Sequence, residues 1–479
     1  MKVFLADAPL LGVEYGRAYY ARECFTTYYE SVASYLAHGT RIVTVVGAPG
    51  VGKTLFGAFL VSQLCMKHPT SWLIVASSGG GSELSYLTVF KDDGSRTEEF
   101  EPQEMERLLA AVMREAKLKQ RKLLMVYDGA PKRIPAVGQL ICLTRSSAVW
   151  FTQSESCNDN KTLHLPLWTR DELHAAALEL GLGIEPCEID RRFEMFGGTG
   201  RVVLSTDQEL VEACKHELLG QIESITTPKV FHKLLWAVGD IQWQWLLQDQ
   251  PSKGCSFLSE RKLASPFVAK RLVHQVLLQS SSRPDDLLKW TREIPQALQE
   301  LKVTLVAHDT LRRGNFTAWP LHKPEDSSPD QLSIPTTPNF VFVDTISPYM
   351  LSRGQYHIMP PSKFTSIHAL GFSGMYWRNG SVGLGSRYCV LLCQIVSSKP
   401  TSFSAVEIVS VLKDLQTLEM VEKDPTRAAL VFVVPTHLDA TTQQNPIGIH
   451  TASADASISS TYLSMIERIP QCLITLDEM

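Results

Sequence analysis

The stretch "RIVTVVGAPGVGKTLFGAFLVSQL", residues 41–64, constrains this chain more than any other part of it. It reads as a β-branched strand, a glycine-rich turn and an amphipathic helix, and the turn fits G-x-x-x-x-G-K-T from Gly47 to Thr54. Each residue type has a physical reason. Gly47, Gly50 and Gly52 let the backbone curl, so that successive N–H groups face a β-phosphate beside the positive end of the following helix. Lys53 supplies a point charge at the β- and γ-phosphates, and the Thr54 hydroxyl is a ligand for Mg²⁺. The candidate loop is Gly47, Ala48, Pro49, Gly50, Val51, Gly52, Lys53, Thr54 and Leu55, a Walker A turn. A protein-kinase glycine loop is excluded, because the lysine lies inside the turn and no later His-Arg-Asp run follows.

A phosphate loop needs an acid near it. "KLLMVYDGAPK", Lys122 to Lys132, is an apolar strand ending in Asp128, where a carboxylate holds the magnesium shell through water. The next residue is Gly129, where many nucleotide hydrolases carry a second acid. Between the two motifs the chain offers a strand, "SWLIVASS", then a hairpin, "SYLTVFKDDGSRTEEF", with Asp93-Gly94 as its turn. A polar helix, "EPQEMERLLAAVMREAKLKQRK", follows. "SWLIVASS" is taken as the extra strand between the Walker A and Walker B strands. That order resembles the additional-strand branch of P-loop ATPases, to which AAA and STAND proteins belong. No Asn-Lys-x-Asp base reader is present, so ATP with Mg²⁺ is the expected ligand. "SAVWFT" reads as the next strand, ending in Thr152 as a γ-phosphate sensor. Glu83 is the nearest candidate for the water-activating base.

The remaining composition narrows the class. Ten cysteines are scattered without Cys-x-x-Cys spacing, so reduced, packed thiols are expected; Cys389 and Cys393 fall on one face of a strand. A net charge of −4 argues against a protein that coats nucleic acid, which needs many phosphate-neutralising cations. No apolar stretch is long enough to span a bilayer, and "MKVFLADAPLLG" is a poor signal peptide, so an intracellular location is expected.

Past the nucleotide core, "LHLPLWTRDELHAAALELG" and "EIDRRFEMFGGTGRVVLS" resemble a paired signature of Crinkler proteins of oomycetes and chytrid fungi and of trypanosomatid retrotransposon hot spot proteins. "RECFTTYYESV" and "SERKLASPFVAKRLVHQVLL" are similar to other elements of that family, so the resemblance covers roughly residues 20 to 280. It implies a P-loop NTPase fused to a nuclease-like domain, nuclear partners or chromatin, and an effector role. No ubiquitin-like header precedes "VFLAD", which departs from the full Crinkler plan. Within the signature, Asp190 or Thr169 would cap helices and Gly197-Gly198 would end one in a left-handed turn. Arg201, just beyond, is the candidate lid arginine for the γ-phosphate, with Arg191 and Arg192 behind it.

Residues 206–321 are rich in helix formers and tryptophan, with Trp236, Trp243 and Trp245 as core or as base-stacking groups. Basic residues cluster at Arg261, Lys262, Lys270 and Arg271, and at Arg114 to Lys122. The Pro- and Ser-rich stretch 322–339 reads as a linker. Three buried strands follow, "NFVFVD", "RYCVLLCQIV" and "AALVFVVP", with a helix opened by a Ser404–Glu407 capping box. Restriction-type nucleases pair an acid at one strand end with acid-x-Lys on the next. Here Asp344 ends the first strand, the second offers Gln394, and Lys399 lies too far along it, leaving one carboxylate where two are wanted.

The expected architecture is therefore α/β: a lead-in at 1–40, a P-loop NTPase domain at 41–205, a helical region at 206–321, the linker, and a small nuclease-like α/β domain at 340–479. The expected function is an ATP-binding, slowly hydrolysing switch whose carboxy-terminal domain engages nuclear protein or nucleic acid. A regulated nuclease and an interaction protein holding structural ATP are left open, as is homo-oligomerisation.

Overall fold

The computed structural model describes residues 3–5, 18–68, 72–78, 86–90, 96–145, 148–157, 159–236, 243–252, 255–280, 287–314, 316–321, 330–332, 340–343, 345–348, 350, 356–359, 367–373, 389–396, 403–435, 449–450 and 460–476. The chain divides into two compact units that do not follow sequence order. Unit one is Met1–Gln221 with Trp236–Val268, and unit two is Ile222–Leu235 with Ala269–Met479.

Unit one opens with two short paired strands, β1 (Val3–Leu5) and β2 (Ala18–Tyr20), and the helix α1 (Cys24–Ala37). The Walker A strand is β3 (Ile42–Val46), and α2 (Lys53–Lys67) follows the glycine turn. Then come β4 (Trp72–Ser78), β5 (Tyr86–Phe90), β6 (Arg96–Glu99), α3 (Pro102–Leu118), β7 (Lys122–Asp128), β8 (Gln139–Thr144), α4 (Ala148–Glu155) and β9 (Asn160–His164). The strands make one sheet in the order β6-β5-β4-β7-β8-β3-β9, parallel from β4 to β9 with β5 and β6 antiparallel at the edge.

The order explains the composition of each strand. Every residue of β3 is buried, as a strand covered on both faces must be. Val43, Val45, Leu124 and Val126 face α1 and α2, where Phe25, Phe56 and Phe59 meet them. Ile42, Leu123, Met125 and Tyr127 face the other way, toward Met105, Val112 and Ala116 of α3 and Trp150 of α4. The hairpin at 86–99 forms as expected; its Asp93-Gly94 turn lies outside the described residues.

Two expectations about the sheet are corrected. "SWLIVASS" (β4) is not the strand inserted between the Walker strands but lies on the far side of β7; the inserted strand is β8, "QLICLT". "SAVWFT" is not a strand: Ala148 to Glu155 is helix α4. Its β-branched and aromatic residues favour a strand by propensity, but packing overrides that. Trp150 is 1% exposed, and its Nε1–H donates to Thr44 Oγ1 at 3.1 Å.

Helices α5 (Arg170–Glu179), α6 (Pro186–Phe196), α7 (Gly200–Val203) and α8 (Gln208–Glu223) follow, then α9 (Pro228–Trp236), most of which belongs to unit two. The expected helical region also contains an antiparallel hairpin, β10 (Leu247–Ser252) with β11 (Cys255–Leu263), before α10 (Pro266–Ser280). Trp243 is 3% exposed and belongs to the core, whereas Trp236 is 60% exposed.

Unit two holds α11 (Leu287–Thr291), α12 (Gln299–Arg313) and the strands β12 (Phe316–Pro320), β13 (Asp330–Leu332), β14 (Val341–Phe342), β15 (His357–Ile358), β16 (Ala369–Ser373) and β17 (Cys389–Ile395). After these come β18 (Phe403–Ser404), α13 (Ala405–Asp414), α14 (Leu418–Lys423), β19 (Ala428–Pro435), β20 (Ile449–His450), α15 (Ser460–Glu467) and β21 (Gln471–Leu476). Eight of them form a mixed sheet in the order β13-β12-β21-β19-β17-β16-β15-β14. Strand β13 falls within the stretch read as a linker and pairs with β12. Ser404 caps α13, its Oγ accepting from the Glu407 N–H at 3.3 Å as the capping box predicts.

Candidate functional site: a phosphate loop with a roofed cavity

Strand β3 ends at Val46 and the chain turns tightly enough that only glycine serves at two points. Gly50 and Gly52 have φ of 78° and 98°, a region costly for residues with a Cβ. Gly52 caps α2, so Lys53 and Thr54 begin the helix at its positive end. Lys53 Nζ donates to the carbonyls of Gly47 at 2.7 Å and Ala48 at 2.9 Å. An ammonium has three donors, so one is left for an incoming oxygen.

Thr54 and Asp128 meet, as the sequence anticipates. The Thr54 hydroxyl donates to Asp128 Oδ2 at 2.6 Å, joining the start of α2 to the end of β7. Burial raises the Asp128 pKa, only partly offset by the Thr54 hydrogen bond and the Lys53 charge. Lys53 is pushed down to about 8, by desolvation first, then by the neighbouring Arg145 charge, with Asp128 opposing. Both shifts have burial as their largest cause, and a guest carrying charges of both signs would offset each of them. A polyphosphate with a divalent cation is such a guest, and the adjacent Thr54 and Asp128 oxygens are donors that suit Mg²⁺.

Gly129 has φ of 109°, and its N–H donates to the Leu143 carbonyl at 2.8 Å. The backbone leaves β7 through a conformation that a glutamate adopts only under strain, so the missing second acid has a conformational reason. Glu83, the other base candidate, lies outside the described residues.

Arg201 comes to the loop. Its backbone N–H donates to the Gly50 carbonyl at 3.2 Å, and a Cβ on Gly50 would lie 2.9 Å from Arg201 Cβ. A cavity of about 360 Å³ is bounded below by Gly50, Gly52, Lys53 and Thr54 and roofed by Gly200, Arg201 and Leu204. Tyr19, Tyr20, Trp168, Leu180 and Leu182 line the rest, an apolar wall of the sort that packs a base.

Other expectations change. Thr152 is exposed on α4 rather than standing at a strand end. The position beside the loop belongs to β8: Thr144 pairs with Val46, its carbonyl accepts from the Gly47 N–H at 3.3 Å, and Arg145 follows. The run "QLICLTR", short, apolar and bounded by "AVG", carried that signal. Arg191 and Arg192 are committed elsewhere. Arg191 pairs with Glu188; Arg192, 5% exposed, holds Glu188, the Val203 and Ser205 carbonyls and Gln208. Glu188 is correspondingly drawn down to about 2 by these arginines.

Thr169 caps α5 in a full capping box with Glu172, but Asp190 sits inside α6, accepting from His174 and pairing with Arg170. Gly197 ends α6 with φ of 60° and ψ of −148°, outside the left-handed helical region. Of the basic clusters, Arg261 pairs with Asp249, Lys262 with Glu260 and Lys119 with Glu115.

The two strands read as carrying the nuclease-like residues are not neighbours in the sheet. Strand β14, which leads to Asp344, is separated from β17 by β15 and β16, three strand spacings or roughly 14 Å. Gln394 is 2% exposed within β17, paired in register with Phe432. Asp344 and Lys399 themselves lie outside the described residues. Among the described residues no group of three or more His, Cys, Asp or Glu could hold a metal ion, and no helix is long and apolar enough to cross a membrane.

No family model matches the chain, and no curated protein does. Among solved structures it is similar to a signal transduction ATPase with numerous domains, a STAND protein with a tetratricopeptide repeat sensor from Pyrococcus horikoshii. The identity is 14% and the TM-score 0.22, over 64% of this chain and 52% of that one, so this chain spans about half of that protein's length. Cdc6p from Pyrobaculum aerophilum matches at 10% identity and a TM-score of 0.27, over 71% of this chain and 96% of that one. DnaA from Aquifex aeolicus bound to AMPPCP matches at 11% identity and a TM-score of 0.21, over 59% and 89%. Likenesses this distant add nothing to what the strand order and loop geometry show by themselves: unit one has the α/β fold of a P-loop NTPase.

Proposed function

We propose that unit one binds ATP with Mg²⁺ in the roofed cavity and serves as a slowly turning nucleotide switch of the type the Crinkler-like signature implies. The observation that carries this is the meeting of four features in one space: the Walker A loop, the Thr54–Asp128 pair, Arg201 and an apolar wall. The base would pack against Tyr19, Tyr20 and Trp168, and the phosphates would lie on the N–H groups of the loop. Lys53 and Arg201 line the cavity and supply positive charge where the terminal phosphate would end, with Arg145 close enough to act on Lys53. When bound, Mg²⁺ neutralises phosphate charge, and Thr54 and Asp128 would hold it. Gly129 withholds a neighbouring base, which favours a switch over rapid turnover. In this reading unit two is the output, engaging nuclear protein or nucleic acid.

The test is isothermal titration with ATP, with and without Mg²⁺, for the wild type and Asp128→Ala, beside a phosphate-release assay. The wild type binds more tightly with Mg²⁺ and releases phosphate slowly; Asp128→Ala loses the magnesium dependence. Wild-type protein that binds no nucleotide sinks the reading, and binding without any release makes ATP a structural ligand instead.

The lowered Lys53 pKa adds a pH dependence with a definite sign. In the free protein Lys53 loses its proton near pH 8, whereas in the unfolded chain it keeps it to the ordinary lysine value of 10.5. The unfolded state therefore binds more protons across pH 8 to 10.5, and this group's contribution to stability rises over that window. Nucleotide reverses the balance, because phosphate favours the charged ammonium. ATP binding should take up a proton above pH 8 and weaken as pH rises, by up to about tenfold per unit. Titrations in buffers of different ionisation heat measure the uptake directly; a pH-independent Kd between 7 and 9.5 contradicts it.

A further inference from the structure

Arg22 lies just before α1, far in sequence from the phosphate loop, yet it is 2% exposed and points into that loop's support. Its Nη1 donates to the carbonyls of Val51 at 3.1 Å and Pro166 at 2.6 Å. Its Nη2 donates to the Leu167 carbonyl at 2.8 Å and to Glu172 Oε2 at 2.9 Å. The guanidinium also stacks over the Trp168 ring at 4.6 Å. Trp168 Nε1–H donates to the same Val51 carbonyl at 3.1 Å. One carbonyl of the Walker A turn is thus held by two buried donors, one of them charged.

That carbonyl is not an arbitrary place to hold. The described residues contain no cis peptide, so the Val51–Gly52 unit is trans and its C=O and N–H point to opposite sides. Fixing the Val51 oxygen outward aims the Gly52 N–H the other way, and Gly52, with Lys53 beside it, lines the cavity. Trp168 also bears on the roof, since a Cβ on Gly200 would lie 2.6 Å from its Nε1. We propose that Arg22, acting through the Val51 carbonyl with Trp168 as second donor, is the positioning residue that sets the phosphate-binding conformation of the Walker A turn.

The inference rests on nucleotide binding as proposed above, and the experiment separates the two. A lysine cannot reproduce the planar fork, so Arg22→Lys keeps the charge and the Glu172 pairing but not the set of four acceptors. Arg22→Gln puts one neutral amide in place of the five-donor guanidinium and so serves fewer of those acceptors. MgATP and adenosine affinities are measured for the wild type and both variants, with melting temperature as a check on folding.

Both variants should bind MgATP at least tenfold more weakly while adenosine affinity changes by less than twofold, because only the phosphate part of the site is disturbed. If Arg22→Lys does not fold, Arg22→Gln carries the test. Wild-type MgATP affinity retained in the folded variants, or equal losses for adenosine and MgATP, overturns the positioning role and leaves nucleotide binding standing. A wild type that binds no MgATP overturns both.

Discussion

Replacing Lys53 by alanine is expected to weaken MgATP binding by about 100-fold, about 2.7 kcal/mol, while leaving the melting temperature at pH 7 unchanged or slightly raised. The two effects have one origin. Lys53 is costly to bury, as its lowered pKa shows, and its contacts in the free protein are the carbonyls of Gly47 and Ala48. Removing it relieves that desolvation, which offsets the two lost hydrogen bonds, and deletes the charge that meets phosphate. A residue kept for packing would do the reverse, lowering stability and sparing the ligand. Calorimetric titration with thermal denaturation of the same samples distinguishes them; an unchanged Kd removes Lys53 from the site.

The second large effect concerns Gly197. A Cβ there would stand 2.0 Å from the Ala264 carbonyl oxygen, a contact with backbone that no rotamer change relieves, and its φ of 60° with ψ of −148° is glycine territory. Gly197→Ala should cost about 4 kcal/mol and lower the melting temperature by roughly 10 °C. It should also weaken nucleotide binding, because the same turn delivers Arg201 to Gly50. Gly220→Ala is the control: nothing lies within 4 Å of a Cβ on that helical glycine, so stability should hold or rise. Equal melting temperatures for the two variants would show that the Gly197 turn bears no such constraint.

How far the sequence revealed this unit depends on the range of each interaction. The phosphate loop was legible because its chemistry is local: Gly47 through Thr54 are consecutive, and each residue type answers to the same small ligand. Asp128 was legible because a long apolar strand leads to it. Strand β8 and Arg145 were passed over because only sheet order, set by pairing with β3 and β7, makes "QLICLTR" adjacent to the loop. Helix α4 misled by propensity, which Trp150 packing overruled. Arg22 left no local trace at all, since its acceptors lie 29 to 150 residues away. The adjacency assumed for the two nuclease-like strands was misread for a similar reason: strands consecutive among the obvious apolar runs are not neighbours once β15 and β16 intervene.

The turn after Asp128 bears on how such a chain could change over time. Because Gly129 occupies φ of 109° and its N–H is tied to Leu143, a carboxylate cannot be installed there by one substitution without strain. A lineage seeking faster chemistry would first have to redraw the path from β7 toward Lys132 and only then accept an acid. Under the proposed function, the present backbone therefore holds the site to a slow cycle, since the direct step to a second carboxylate at Gly129 carries backbone strain.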